Sequence, residues 1–444
     1  MTEPMRLSVF GWICGYGASM ALSFFQMVDA WLEAGHEVDL YSPGTFVDAH
    51  TLVRWPRFRY LPHRISPWRE ASRLVPSRGL PRLARTGVEW ATNEAQRILH
   101  FPEIASAIRN EHRARPYDAF VALNILNDFD LARDLPVISF AQGSPDGESE
   151  FLRREGALAR RELGWSGWGA LLAAYAVKDR LAIQSCARST CIVSPSAWTR
   201  GVFQRAGIAD DRLEVLAPPL DLSSFRPTRR PANPDEFRFV WLGRIVPRKR
   251  LPLALEAFEL LRARRPGVRF TIVGGLGYGQ LLRHYEVPPL GPGVEWLKQV
   301  PHDQIAGLLA RSDVLLQPSE NENFGTAVVE ALAAGLPSVL GPTNGTADVT
   351  GDAAFLFERY EPAAVADAME RAMDAVLAEP AGIAARARAV AEKNLELHTV
   401  AARAADLVAS VADRWRSERG VTGWRPARAS APPRSTRTNA PAGS

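Results

Sequence analysis

Glu322 and Glu330 stand eight positions apart in the run from Ser319 to Pro337, SENENFGTAVVEALAAGLP, with a Phe324-Gly325 turn between them. Carboxylates so placed suit polyols, because a glutamate offers two acceptor oxygens to a vicinal diol such as a ribose, and a second glutamate can hold a second polyol. The residues DVLLQP before the pair read as a buried strand. Thr326 to Ala334 read as a short helix ended by Gly335 and Pro337. Glu322 is then expected in a strand-to-helix loop and Glu330 about one turn inside the helix. In a doubly wound sheet such a loop opens onto the crevice at the carboxyl ends of the strands, where ligands bind. The amides at the helix start favour an anion such as a diphosphate.

A second group lies some eighty residues earlier. The strand ending at Leu242 runs into Gly243-Arg244-Ile245-Val246-Pro247-Arg248-Lys249. Arg244 and Lys249, five apart beyond the carboxyl end of a strand, can clamp a pyrophosphate. Two glutamates eight apart arise by chance on the order of once in a chain this long, so the bare spacing is weak and the flanking pattern carries the signal. That pattern resembles the retaining glycosyltransferases of family four, built on the GT-B fold. The first glutamate, the Phe-Gly turn, Glu330 followed by Ala331, and the exit Ala334-Gly335-Leu336-Pro337 all fit, as do Arg244 and Lys249; the family's glycine after that lysine is Arg250 here.

The resemblance implies a role for each residue. Arg244 and Lys249 would stabilise the departing diphosphate, which gathers negative charge as the sugar bond breaks. Glu330 would hold the ribose, and Glu322 with the backbone of Asn323, Phe324, Gly325 and Thr326 would orient the sugar. The strand through PVISFAQG delivers Gln142 where the family carries a histidine beside the anomeric carbon. A glutamine amide cannot shuttle a proton, so Gln142 would orient the sugar or shield the site. Gly17, in the turn Gly15-Tyr16-Gly17, would let backbone amides approach donor phosphate or acceptor. The substrate would be a UDP- or GDP-linked sugar, with no further cofactor and no catalytic metal. Domain closure would keep water from the activated donor.

Other readings of these residues are weaker. The Gly15-Tyr16-Gly17 turn is a poor dinucleotide fingerprint: Met20 occupies the third small position, and Asp39 falls in the middle of a strand instead of at its end. Asp128-Phe129-Asp130 mimics a metal-binding DxD but precedes a strand. Gly274 to Gly279 reads as a turn, and Asn344-Gly345-Thr346 as a loop of open role. A nucleotide-sugar epimerase of the same architecture and a non-catalytic nucleotide-sugar-binding partner remain as alternatives.

The elements that must position these side chains alternate between strand and helix. Strands are expected at Arg6 to Phe10, Glu37 to Tyr41, Ala119 to Leu123, Pro136 to Phe140 and Thr190 to Val193. After Pro218-Pro219 they resume at Phe237 to Leu242, Phe270 to Val273, Val294 to Leu297, Val314 to Gln317, Ser338 to Leu340 and Ala354 to Phe357. A helix at Ser19 to Ala34 completes the opening βαβ unit. This pattern predicts an α/β chain of two Rossmann-like parallel-sheet domains facing across a cleft. The first, acceptor-side, spans 1–222 and the second, donor-side, 223–397, with a last helix near 398–418 crossing back onto the first.

With 444 residues, 46% of them hydrophobic and 23% charged, the chain has room for two ordinary globular domains. No apolar run reaches a bilayer-spanning length; the longest, near Trp168 to Val177, is about half of one. No leader is evident, and Cys14, Cys186 and Cys191 form neither a disulfide framework nor a metal cluster, so a cytoplasmic location is expected. The net charge of +4 sits in residues 420–444, which carry four arginines and no acid and read as a disordered tail. Nucleic acid is therefore not an expected partner. Ten arginines against three glutamates between Thr51 and Arg97, interleaved with Trp55, Trp68 and Trp90, fit phosphates, a peripheral membrane contact or simply a solvated face. A glycan or lipid-linked acceptor is expected.

Overall fold

The computed structural model describes residues 3–11, 19–42, 52–62, 102–123, 131–141, 143, 147–227, 232–275, 287, 289–298 and 300–421. Within them the chain builds two parallel sheets. The first contains β1 (Arg6–Phe10), β2 (Glu37–Ser42), β3 (Phe58–Pro62), β4 (Ala119–Leu123), β5 (Val137–Phe140), β6 (Cys191–Ser194) and β7 (Leu213–Val215). Its spatial order is β3-β2-β1-β4-β5-β6-β7. The second contains β8 (Arg238–Leu242), β9 (Arg269–Val273), β10 (Val294–Trp296), β11 (Val314–Gln317), β12 (Ser338–Leu340) and β13 (Ala354–Leu356), in the order β10-β9-β8-β11-β12-β13. Both orders are the doubly wound arrangement, 3-2-1-4-5-6, with one extra strand on the first sheet. The architecture is GT-B, two Rossmann-like lobes.

The central strands are buried on both faces, as a parallel sheet under helices requires. β1, β4 and β6 are buried throughout. One face of the first sheet packs under the helices Ser19–Glu33 and Leu397–Glu418, through Val28, Trp31, Ala401, Ala404 and Val408. Ile104 and Ile108, from helix 102–114, cover part of the other face. The second sheet is clasped between Leu251–Arg264 with Pro362–Ala378 on one side and Ile305–Ala310, Thr326–Ala333 and Pro380–Leu395 on the other.

The last helix, Leu397–Glu418, leaves the second lobe and packs on the first. Trp31 Nε1 donates to the Ala401 carbonyl at 2.8 Å, Trp415 Nε1 to Ala132 O at 3.1 Å, and Arg416 pairs with Asp118 at 2.9 Å.

Glycine ends the helix that carries Glu330 and the first helix of the first lobe. Gly335 (φ +74°) follows Thr326–Ala333, with Leu336 N donating to Ala331 O at 2.8 Å and Gly335 N to Leu332 O at 3.0 Å. Gly35 (φ +98°) closes Ser19–Glu33 through the same pair of bonds, His36 N to Trp31 O and Gly35 N to Leu32 O. Both are Schellman closures, which satisfy carbonyls the helix end leaves orphaned.

Two strands, β3 and β7, escape the sequence pattern. Both lie at the edges of the first sheet, where one side lacks a neighbour and the apolar signal thins. β3 also carries the half-exposed Arg59 and ends in Pro62. Its surroundings change the reading of the arginine-rich stretch. Arg54 and Trp55 both bond Asp29, Arg57 donates to Gly35 O at 2.8 Å, and Arg59 pairs with Asp39 and Glu111. Those arginines serve the first lobe itself. Trp68, Trp90 and the rest of that stretch lie outside the described residues, as does 422–444. Among the described residues no helix is long and apolar enough to cross a membrane.

Candidate active site

The order of the second sheet reverses between β8 and β11, which pair through Phe239 with Val314 and Val240 with Leu315. Adjacent strands at a reversal send their following loops in opposite directions and leave a crevice at their carboxyl ends. The loop after β8 carries Arg244, Arg248 and Lys249, and the loop after β11 carries Glu322. Topology thus brings the basic turn and the first glutamate to one place.

Lys249 Nζ and Arg248 Nη1 both donate to Glu322 Oε2, the second at 2.9 Å. Glu322 is 6% exposed. Burial pushes its carboxyl upward, but Lys249 and Arg248 together overcome that and hold it down to about 2. Lys249 sits below the ordinary lysine range. Burial is the larger cause, the like charges of Arg248 and Arg244 add to it, and Glu322 opposes. Arg244 is therefore close enough to act on Lys249, and its own side chain is exposed. Gln317, with its amide oxygen turned to the ammonium, accepts from Lys249 Nζ at 3.1 Å and from Ser319 Oγ at 2.9 Å. The backbone that delivers the basic turn is tight. Gly274 has φ +147°, and a Cβ there would lie 1.8 Å from the Gly243 carbonyl oxygen, so the ends of β8 and β9 meet only because residue 274 is glycine.

Glu322 is also pinned by main chain. Its N–H donates to Thr343 O at 3.0 Å, and its carbonyl accepts from Gly345 N at 2.8 Å. The Asn344-Gly345-Thr346 loop, whose role was open in the sequence, is thus the wall behind the glutamate. Asn344 Oδ1 accepts from Thr346 N at 3.1 Å and Thr346 Oγ1 at 2.6 Å, and a Cβ on Gly345 would come within 2.2 Å of Asn323 O.

Glu330, 6% exposed, is the fifth residue of the helix that starts at Thr326. His302 Nε2 lies 2.9 Å from its Oε1. The pairing raises the imidazole above its ordinary value, against a smaller opposing effect of burial. One of the two oxygens expected to meet a diol is therefore engaged by a neighbour, which the sequence reading did not include. His302 sits in the short turn His302–Gln304 before Ile305–Ala310, and nothing in its local pattern sets it apart. Arg248 was likewise passed over, although the basic triplet Arg248-Lys249-Arg250 was its signal.

The residues between the glutamates divide their work. The Phe324 side chain is buried in the second lobe's core, and a Cβ on Gly325 would sit 3.2 Å from Val328 Cγ2. Asn323 faces the first lobe. Its carbonyl accepts from Ser196 Oγ at 2.8 Å and Thr199 Oγ1 at 3.4 Å, its Oδ1 from Thr199 Oγ1 at 3.3 Å. Ser196 also caps the first-lobe helix Ala197–Arg205 by accepting from Thr199 N at 3.1 Å. A Cβ on Gly143 would meet Asn323 Nδ2 at 2.9 Å, so the turn leaving β5 ends against the glutamate loop. The neighbouring Gln142 lies outside the described residues, as do Gly17, Asp128 and Asp130.

Asp39 is fully buried and held by Arg6, Arg59 and Tyr117, which leaves no oxygen for a cofactor ribose, in keeping with the poor dinucleotide fingerprint. Cys186 and Cys191 are buried and not joined in a disulfide. No three His, Cys, Asp or Glu side chains cluster as metal ligands among the described residues.

Comparison with known proteins points the same way. Residues 226–389 match the family model of glycosyl transferases group 1. The D-inositol 3-phosphate glycosyltransferase of Paenarthrobacter aurescens is 31% identical over 180 residues, 37% of this chain and 44% of the relative. The phosphatidylinositol N-acetylglucosaminyltransferase gpi3 subunit of Schizosaccharomyces pombe is 31% identical over 166 residues, 37% of this chain and 36% of that protein. The chain thus spans less than half the length of these curated relatives. The crystal structure of Anabaena Alr3699/HepE in complex with UDP-glucose superposes with a TM-score of 0.59 at 15% identity, covering 91% of this chain and all of that one.

Proposed function

We propose that the chain is a retaining, metal-independent glycosyltransferase that moves a sugar from a UDP- or GDP-linked donor to a glycan or lipid-linked acceptor. One observation carries the reading: at the reversal between β8 and β11, Lys249 and Arg248 converge on a buried Glu322 within the field of Arg244. A lysine whose charge is opposed by burial and like neighbours gains from an incoming anion. A diphosphate leaving group is such an anion, and its charge grows in the transition state. Glu330 supplies acceptor oxygens for the ribose, and Glu322 orients the transferred sugar beside the Asn323 turn. In a front-face course, the bond from anomeric carbon to phosphate oxygen breaks, the acceptor oxygen bonds the same carbon, and the acceptor proton passes to the departing phosphate oxygen. The cations supply the stabilisation that a metal would otherwise provide.

The relatives' printed activities, on inositol phosphate and phosphatidylinositol, favour an acceptor that carries phosphate or lipid. A bilayer contact gains support from the part of Gly156–Cys186 that follows its break at Gly164 (φ +68°). Its stretch from Trp165 to Val177 has no charged residue, and those two ends are 73% and 59% exposed. Co-sedimentation with anionic vesicles tests this, and recovery of all protein in the supernatant counts against it.

The central experiment is calorimetric titration with UDP and GDP, followed by incubation of the matching nucleotide-sugars with and without acceptor glycans and lipids. Saturable diphosphate binding and acceptor-dependent sugar transfer are expected. Conversion of the sugar with donor alone would instead identify an epimerase, and binding without turnover across acceptors a non-catalytic partner. Absence of binding to any nucleoside diphosphate defeats the proposal.

A further inference from the structure

Arg250 combines two features that do not fit a passive surface residue. Its backbone is left-handed, φ +50° and ψ 41°, a conformation that costs a side-chain-bearing residue and favours glycine. Its guanidinium nevertheless reaches across the crevice mouth. Nε donates to Glu320 Oε2 at 2.7 Å, Nη2 donates to the same oxygen, and Nη1 lies 3.8 Å from Glu155 Oε1 of the first lobe.

Glu320 is gripped from both lobes. Its other oxygen, Oε1, pairs with Arg154 Nη1 of the first-lobe helix Gly147–Arg154 at 2.6 Å. Its backbone N–H donates to Arg248 O at 2.8 Å. The next residue, Asn321, is also left-handed at φ +53°, and its Nδ2 donates to Glu150 Oε1 at 2.7 Å. Glu150 in turn accepts from Arg154 Nη2 at 2.7 Å. Only three non-glycine residues among those described have positive φ, and two of them, Arg250 and Asn321, aim polar side chains at this boundary.

The strained residues are next to the reactive ones. Arg250 directly follows Lys249, and Asn321 directly precedes Glu322. We infer that Arg250 is a positioning residue: its fork on Glu320 locks the Lys249 loop to the Glu322 loop and, through Arg154 and Glu155, couples that geometry to closure of the first lobe. The inference deepens the transferase reading and rests on it for its kinetic consequences. Charge-assisted forks hold direction as well as distance, which suits aligning two loops. Strain retained where glycine would be relaxed marks a residue held for something other than folding.

The test compares the intact protein with Arg250→Gly, which relaxes the backbone and deletes the fork, and Arg250→Lys, which keeps the charge but not the fork. Arg250→Gly is expected to unfold no earlier than wild type, yet to lose up to about a hundredfold in kcat, the cost of misplacing reacting groups by about 1 Å, with little change in donor KM. Its radius of gyration in solution scattering with UDP present should exceed that of wild type. Arg250→Lys should recover little of the lost kcat. A cycle pairing Arg250→Gly with Arg154→Ala should be non-additive, because both act through Glu320.

Wild-type kcat and radius of gyration in Arg250→Gly would overturn the inference. So would an earlier unfolding that accounts for the whole loss of activity. If wild type binds neither UDP nor GDP, the transferase reading fails by itself. The scattering comparison without nucleotide and the stability cycle then still decide the brace, and additivity with an unchanged radius sinks it.

Discussion

Two clusters of charge occupy opposite kinds of edge in the two lobes, and they are built differently. At the amino edge of the first sheet, Arg6, Arg59 and Arg115 meet Glu37, Asp39 and Glu111, with Arg6 to Asp39 at 2.7 Å and Arg6 to Glu111 at 2.8 Å. Arg6 also lies 4.1 Å from the centre of the Tyr117 ring. Three guanidiniums face three carboxylates, and the cluster fastens β1, β2 and β3 to helix 102–114. At the carboxyl edge of the second sheet, Lys249 and Arg248 converge on the buried Glu322, and the exposed Arg244 acts on Lys249. Matched charge closes on itself and holds a fold together. Charge gathered at the mouth of a crevice lies where a ligand can reach it.

The contrast is sharpest where one residue is removed from each. Lys249→Met keeps the stem and deletes the ammonium. Sugar transfer should fall about a hundredfold or more, with a smaller shift in thermal unfolding than Asp39→Ala gives, because Arg248 still pairs with Glu322. Asp39→Ala should do the reverse. A buried carboxylate leaves two guanidiniums behind, so urea unfolding should show a loss of about 3–5 kcal/mol, while the turnover of molecules still folded stays at the wild-type value. If Lys249→Met proves the more destabilising and Asp39→Ala the more damaging to turnover per folded molecule, the distinction between the clusters is wrong.

A smaller effect separates the two glutamates. Glu330→Ala should weaken binding of the nucleoside diphosphate by roughly tenfold to a hundredfold, the worth of one or two hydrogen bonds to a charged acceptor, with folding little changed. Equal loss of fold and of binding in calorimetry and thermal melts would make Glu330 a structural residue.

The smallest effect belongs to His302. Its imidazole is raised above 6.5 by Glu330, so the stabilisation it brings is fully present below pH 6.5 and fades as pH rises through the folded value. With 66% of the side chain exposed, solvent screening keeps the amplitude to a few tenths of a kcal/mol. His302→Gln should flatten that slope in melts taken from pH 5 to 9, and an unchanged slope would remove His302 from the account.

Much of this molecule was legible before any coordinates. Strands buried on both faces announce themselves as apolar runs, so β1, β4 and β11 fall where the pattern puts them. Gly335 and Gly35 mark helix ends because a left-handed closure suits little else. The edge strands β3 and β7 were hidden, since with one neighbour missing their side chains need not be apolar. Arg250 shows the same limit from another side. Position 250 reads as a small departure from a glycine, but neither its strained backbone nor its reach toward Glu155 is written in neighbouring residues.

Local pattern settled the alternation of strand and helix, the basic turn after β8 and the two glutamates flanking the Phe324-Gly325 turn, because each depends on residues close in the chain. Tertiary structure alone decided that Lys249 and Arg248 share one oxygen of Glu322, that His302 occupies Glu330, that Asn323 turns to Ser196 and Thr199, and that the last helix returns to the first lobe. Those contacts join residues 28 to 370 positions apart. Their geometry follows from strand order and helix packing, which no short window of sequence contains.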